Sequence, residues 1–213
     1  VKVRIFFGPP GSGKGTQAKL VIKEDPSWVH IAPGDILRAN VKAGTELGKQ
    51  AKRYMDEGVL VPDEIIVAMM AEELDKARKA SKNVILDGFP RSVAQAESLI
   101  RMLEKSDDVR IIEFSVPDEL IIERLSGRLV CPNCGAAYHI KNNPPQKNEI
   151  CDRCGEKLIR RDDDKPEVIS KRLEVYREET KKVLEVLLNH YPYTKLAADM
   201  SIEEIYKELK RFL

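Results

Sequence analysis

The sequence predicts an α/β fold, a mainly parallel sheet flanked by helices on both faces, with smaller pieces inserted. Three observations carry this reading. The chain opens with a strand, a glycine-rich turn and a helix in succession. Short apolar runs then alternate with segments of helical period, and one stretch holding all four cysteines interrupts the alternation.

In chain order, "KVRIFF" is a β-rich run that stops at Gly8, and a helical pattern runs from Lys14 through Glu24. A second strand, "WVHIA", meets "PGD", after which Ile36, Leu37 and Val41 fall at helical spacing. Helices follow over 46–57 and 63–80; Pro62 suits the second one's start, and Asp63 and Glu64 favour its positive end. "NVILDGFPR" is a buried strand ending in polar residues, followed by a helix over 92–104 and a strand over 110–116. Pro117 and Asp118 open the next helix. Beyond the cysteines, one long helix is expected from Lys165 to Asn189, then a short strand near "YTKLAA" and a last helix. Ser201 with Glu204 three residues on is the capping-box signature of that last helix. In such a sheet, ligands bind at the carboxyl ends of the strands.

The string "GPPGSGKGT", Gly8 to Thr16, fits G-x-x-x-x-G-K and lies between strand and helix, where a phosphate-binding loop must lie. Gly11, Ser12, Gly13, Lys14, Gly15 and Thr16 would wrap backbone N–H groups and a helix N-terminus around phosphates, with Lys14 reaching the outer ones. The residue after Lys14 is Gly15, so the hydroxyl that often ligates Mg2+ is displaced to Thr16. Asp87 ends the strand "NVIL" at the same sheet edge. It reads either as a contact to Mg2+ through water or as an ordinary strand-ending cap.

Composition limits the function classes. Lys plus Arg number 36 against 35 Asp plus Glu, so there is no bulk positive field of the kind that gathers nucleic acid. No run of eighteen apolar residues and no secretory leader pattern is present, which leads us to expect a soluble cytoplasmic protein with no membrane partner. In that reducing compartment Cys131, Cys134, Cys151 and Cys154, two Cys-x-x-Cys pairs, read as a structural metal site. Four thiolates close a tetrahedron and leave no position for substrate. Zn2+ is the expected ion, although iron or cobalt suits the same ligands. His139 lies nearby but is not needed as a ligand; His30 and His190 carry no motif and read as structural.

"GPPGSGKGTQA", "GDILRA", "LVPDE", "LDGFPRSVAQAE", "GRLVC", "YHIKNNPP" and "RRDDDKPEVISKRL" occur in the order found in the adenylate kinases and cover nearly the whole chain, which therefore resembles that family. The resemblance implies conversion of ATP and AMP to two ADP with Mg2+, by a P-loop core over 1–31, 62–127 and 162–213. It implies an AMP-binding helical segment over 32–61 and a lid over 128–161, in the long form that can carry zinc. It assigns catalytic roles to Lys14, Asp87, Arg91, Arg128, Arg161 and Arg172. The ATP side would be the phosphate loop with Arg124, Arg128, Ala137, Tyr138 and Met200. The AMP side would be Pro33, Arg38, Val59, Leu60, Val61, Gly88, Phe89, Pro90, Arg91, Gln95, Arg161 and Arg172, with Gln95 reading the adenine. The chain departs from the family at Ala32 and Pro33, where two hydroxyls are usual, and at Asn142, where an aromatic residue is common, so base preference stays open.

The chemistry fits this inventory. An ionised phosphate is its own nucleophile, so the reaction needs positioning and charge neutralisation rather than a Ser–His or Cys–His pair. Arginine suits that work because its fork holds two phosphate oxygens at once. Two other readings remain: a kinase for another nucleoside monophosphate, and a zinc-ribbon ATPase binding nucleic acid through Lys141, Lys147, Lys157, Arg160 and Arg161. Against the second, "DRCGEKLIRRDDD" answers those bases with acids, and no aromatic row interleaves with them. A monomer is expected.

Overall fold

The computed structural model describes residues 1–213. Its centre is a five-stranded, all-parallel sheet in the spatial order β2-β3-β1-β4-β7. The strands are β1 (Lys2–Phe7), β2 (Trp28–Ile31), β3 (Asn83–Asp87), β4 (Asp108–Ser115) and β7 (Tyr193–Ala197). Val3, Ile5 and Phe7 enter one layer of the core and Phe6 the other, because successive side chains of a strand point to opposite faces. The first layer is closed by α4 (Asp63–Lys79), α5 (Val93–Met102) and α8 (Lys181–Leu188), the second by α1 (Lys14–Glu24) and α9 (Ile202–Leu209).

Arg4 breaks the apolar pattern of β1, yet it is only 3% exposed. Its guanidinium donates to the carbonyls of Phe212 (2.6 Å) and Asp108 (2.7 Å) and to the Asp108 carboxylate (2.8 Å), binding the last residues of the chain to the sheet. A buried cation is tolerated when its donors are satisfied in this way.

Two pieces stand on the carboxyl-end edge of the sheet. One is the helix pair α2 (Pro33–Ala43) and α3 (Glu46–Glu57), which pack on each other. The other follows α6 (Asp118–Ser126) and holds the two-stranded antiparallel β5 (Arg128–Val130) and β6 (Ala137–His139), around a small cluster of Leu129, Cys131, Ala136, Tyr138, Cys151 and Leu158. Six residues make a marginal core, so an added staple is physically reasonable there.

The expected elements are present with ends shifted by one or two residues, and the Ser201–Glu204 capping box is formed in full. One expectation needs correction. The long helix from Lys165 to Asn189 is α7 (Pro166–Val175), a π-helical turn (Tyr176–Thr180) and α8. Ile169, Leu173, Tyr176, Thr180, Val183 and Leu187 recur at alternating steps of four and three, which reads as one continuous helical face, apolar except for Thr180. No Gly or Pro marks the π turn. Its tertiary ties include the Thr180 hydroxyl, which donates to the carbonyl of Arg91 at 3.0 Å, and the ion pair of Arg177 with Asp118. No helix is long and apolar enough to cross a membrane.

Candidate active site

The site forms at one edge because the chain leaves β1 toward β2 on one side and leaves β3 toward β4 on the other. The loops after these neighbouring strands therefore part and open a crevice. Phe6 pairs with Asp87 in register, so the phosphate loop after β1 and the Gly88–Arg91 loop after β3 begin side by side. A cavity of about 760 Å³ lies above them.

The phosphate loop wraps Lys14. Gly13 caps α1 at φ +94°, a left-handed conformation that favours glycine. Lys14 Nζ donates to the carbonyls of Gly8 (2.8 Å) and Pro9 (2.7 Å) and to Ser12 Oγ (3.0 Å). Burial lowers its pKa, Asp87 partly restores it, and Arg91, Arg172 and Arg128 press it down further, to about 8. An anion is what this ammonium lacks. Gly11, Gly13, Gly15 and Thr16 reach the cavity wall, whereas Ser12 is fully buried beneath Lys14 and holds it.

Asp87 lies on the same wall, 3.1 Å from His30 Nε2. Burial would raise its pKa; the hydrogen bond from His30 and the charge of Lys14 outweigh that, so the group is held below the usual carboxylate range. His30 is therefore more than the motif-free structural residue its sequence context suggests: it adjoins an ionised carboxylate in the site.

Arg38, Arg91, Arg124, Arg128, Arg161 and Arg172 all border the cavity. Burial first, then the nearby guanidinium of Arg128, lowers the pKa of Arg161 to about 10; burial lowers that of Arg172 to about 10, and both stay charged at neutral pH. So many cations survive together because carboxylates hold them. Arg128 binds Asp164 through both arms (2.7 and 2.5 Å), and Arg172 contacts Asp163 (3.2 Å) and Asp164 (3.3 Å). Arg38 lies between Asp35 (2.6 Å) and Asp163 (3.6 Å), and Arg161 lies 3.8 Å from Asp35. Arg161 Nε is buried with no hydrogen-bond partner, in a residue that borders the cavity. Sequence reasoning passed over Asp35, Asp163 and Asp164; the acidic run abutting two arginines was the signal for the last two, and the i,i+3 spacing to Arg38 for Asp35.

The other residues expected in the site are distributed as follows. Val59, Leu60 and Val61, and Gly88, Phe89 and Pro90, border the cavity near Arg91, and so does Gln95. Gln95 is 2% exposed and accepts from Arg91 N (2.8 Å) while donating to Asp63 (2.7 Å), leaving one N–H and one lone pair uncommitted. Ala137, Tyr138 and Met200 also line the cavity, as does Asn142. Pro33 is not on the wall: it is buried at the first turn of α2, and its neighbours Ala32 and Gly34 face the cavity instead.

The four cysteine sulfurs lie within 4.8 Å of one another, Cys131 to Cys154 at 3.4 Å and Cys134 to Cys151 at 3.5 Å. A tetrahedron with Zn–S bonds of 2.3 Å has edges of about 3.8 Å, so the donor set fits such an ion. His139 takes no part: its ring accepts from the backbone N–H groups of Lys141 and Asn142, both at 3.1 Å.

A phosphate loop, a carboxylate and six arginines around one crevice of a parallel α/β sheet define a P-loop nucleotide-binding protein equipped to handle several phosphates at once. Comparison with known proteins narrows this. The family profile described as Adenylate kinase matches residues 6–192. Proteins named adenylate kinase are 46% identical in Thermoanaerobacter sp. (strain X514), over 98% of this chain and 96% of the relative, and 46% identical in Methanosarcina barkeri, over 98% and 97%. One from Caldicellulosiruptor bescii is 50% identical over 85% of this chain and 84% of its own. The chain belongs to the adenylate kinase family.

Proposed function

We propose that this chain catalyses reversible phosphoryl transfer from Mg-ATP to AMP, giving two ADP. The observation that carries the reading is the convergence of Lys14, Arg38, Arg91, Arg128, Arg161 and Arg172 on one cavity whose volume, about 760 Å³, suits two nucleotides. An oxygen of the AMP phosphate attacks the γ-phosphorus of ATP, and the bond to the β–γ bridging oxygen breaks. Both groups are ionised, so no proton has to move during the transfer. The protein holds two polyanions together and spreads the developing charge over fixed cations.

Lys14 and the loop N–H groups take the ATP phosphates, with Arg124 and Arg128; Ala137, Tyr138 and Met200 flank the base. Arg38 and Arg91 take the AMP phosphate, and the pocket of Val59, Leu60, Val61 and Gln95 takes its adenine. Arg161 and Arg172 span the transferring group. On arrival of nucleotide, phosphate oxygens take over from Asp163 and Asp164 as arginine partners. Asp87, held ionised, and the Thr16 hydroxyl are the groups suited to a hydrated Mg2+, which when bound neutralises charge on the β- and γ-phosphates.

In this reading residues 32–61 and 128–161 close over the core, residues 1–31, 62–127 and 162–213, and exclude water that would otherwise accept the phosphoryl group. Zn2+ on the four cysteines holds the lid as one rigid piece. In this reading the protein acts as a monomer in the cytoplasm, a reducing compartment that suits thiolate ligands. The nucleic-acid reading is disfavoured because Arg161 borders the phosphate cavity rather than an outer basic face. Incubation of the protein and Mg-ATP with each nucleoside monophosphate, followed by separation of products, tests the proposal. ADP from AMP is expected; turnover of another monophosphate in preference would reassign the substrate.

A further inference from the structure

The loop that carries Arg91 is held from three directions. From α5, Gln95 Oε1 accepts from Arg91 N (2.8 Å); from α4, Asp63 accepts from Ser92 Oγ (2.8 Å) and Gln95 Nε2 (2.7 Å). The third hold comes from the π-helical turn. Thr180, 7% exposed, donates its hydroxyl to the Arg91 carbonyl at 3.0 Å. A threonine inside a helix ordinarily returns its hydroxyl to a carbonyl one turn back. This one instead reaches a residue 89 positions away. Both main-chain polar groups of Arg91 are thus tied by side chains, while its own Nε donates to Gly88 O (2.8 Å), which fixes the root of the guanidinium.

The π turn also continues directly from α7, which carries Arg172. Through Thr180 the Arg91 loop is fastened to the same helical body as Arg172. A π turn inside a long helix is an uncommon device that recurs at functional sites. Tyr176, at its start, packs against Phe7 with ring centroids 6.0 Å apart, so the turn is braced against the strand that leads into the phosphate loop.

We propose that Thr180 is a positioning residue for Arg91: its hydroxyl sets the loop so that the guanidinium meets the AMP phosphate in register with Arg172. This rests on the assignment of Arg91 to AMP made above. Thr180 does not touch substrate; it acts through the Arg91 carbonyl, and the consequence should fall on AMP and not on ATP.

The test compares Thr180→Val, which keeps the shape and loses the donor, with Thr180→Ser, which keeps the donor, in the full-length protein. A neutral hydrogen bond of this kind is worth about three- to tenfold in an equilibrium. We expect Thr180→Val to raise KM for AMP by about that factor, with KM for ATP within about twofold of the parent and Thr180→Ser close to the parent in both. Thr180→Ala gives the same readout if valine prevents folding. Arg91→Ala is the control for the underlying assignment and should raise KM for AMP by about ten- to a hundredfold, the range for losing a charged contact. If Arg91→Ala leaves AMP untouched, the assignment falls and the role of Thr180 with it. If Arg91→Ala behaves as expected but Thr180→Val leaves KM for AMP unchanged, raises both KM values equally, or is matched by Thr180→Ser, the Thr180 inference alone is overturned.

Discussion

Lys42, on α2, donates from Nζ to the carbonyl oxygen of Pro132 at 2.7 Å, joining the helical appendage to the first Cys-x-x-Cys turn. Lys19, on α1, reaches the carbonyl of Gly135 in the same turn, also at 2.7 Å. Two lysines from two different parts of the molecule thus grip one cysteine turn, whose sulfurs meet those of the second pair, Cys131 with Cys154 and Cys134 with Cys151. If the two appendages close together, this is a latch. An exposed, charge-assisted bond contributes about 1 kcal/mol or less. Lys42→Met should shift the equilibrium toward open by about two- to fivefold, read by energy transfer between labels on α2 and the lid during titration with a bisubstrate analogue. An unchanged titration would mean that the contact is incidental.

Lys14 sets a pH dependence. Without nucleotide its pKa is about 8, and phosphates raise it by supplying the missing negative charge. ATP affinity should therefore be flat below about pH 8. It should weaken as pH rises through that value, by at most about tenfold per unit, because binding then requires uptake of a proton. Calorimetric titration of ATP between pH 7 and 10 checks this. Lys14→Met should bind weakly at all these pH values without the inflection, and its kcat should fall by roughly a hundredfold to a thousandfold, as for loss of one preorganised charge-stabilising group.

Gly88 sits at φ +71°, and a Cβ there would lie 2.6 Å from Arg91 Nη2 and 3.3 Å from its Nε. Gly88→Ala must displace the guanidinium from its present place and accept left-handed strain of about 1–2 kcal/mol. We expect KM for AMP to rise about tenfold or more with KM for ATP little changed, in steady-state assays that vary each nucleotide separately. Equal loss on both sides would point to collapse of the whole edge.

Removal of the lid metal should act on stability before chemistry. The cluster around the cysteines is six residues, too small to hold itself, and a metal ion held by the four thiolates would supply the missing cohesion. A loss of about 3–5 kcal/mol corresponds to about 6–20 °C in melting temperature for a chain of this size. Calorimetry with and without a strong chelator, alongside metal analysis expected to give one zinc per chain, measures it. Metal-free protein that remains folded should keep part of its activity; complete loss from a fully folded sample would assign the metal a role in turnover.

Much of this molecule is legible in its sequence, because much of it is local. The phosphate loop is nine consecutive residues, and the Ser201–Glu204 box and each Cys-x-x-Cys pair span four. The alternation of strand and helix likewise follows from period-two and period-3.6 patterns inside short windows. These features fold the same way wherever they stand, so the α/β class and the phosphate loop could be read without coordinates. Tertiary structure decided what depends on distant segments meeting at one edge of the sheet. His30 gained a partner in Asp87 only because β2 lies beside β3, and Arg128 found Asp164 across 36 residues only because β5 starts beside the short turn that precedes α7. The π turn was invisible for the same reason: its helical spacing runs on unbroken in sequence, and its bond from Thr180 to Arg91 spans 89 residues. Side-chain pairing over such separations is set by the order of the strands, which no local pattern encodes.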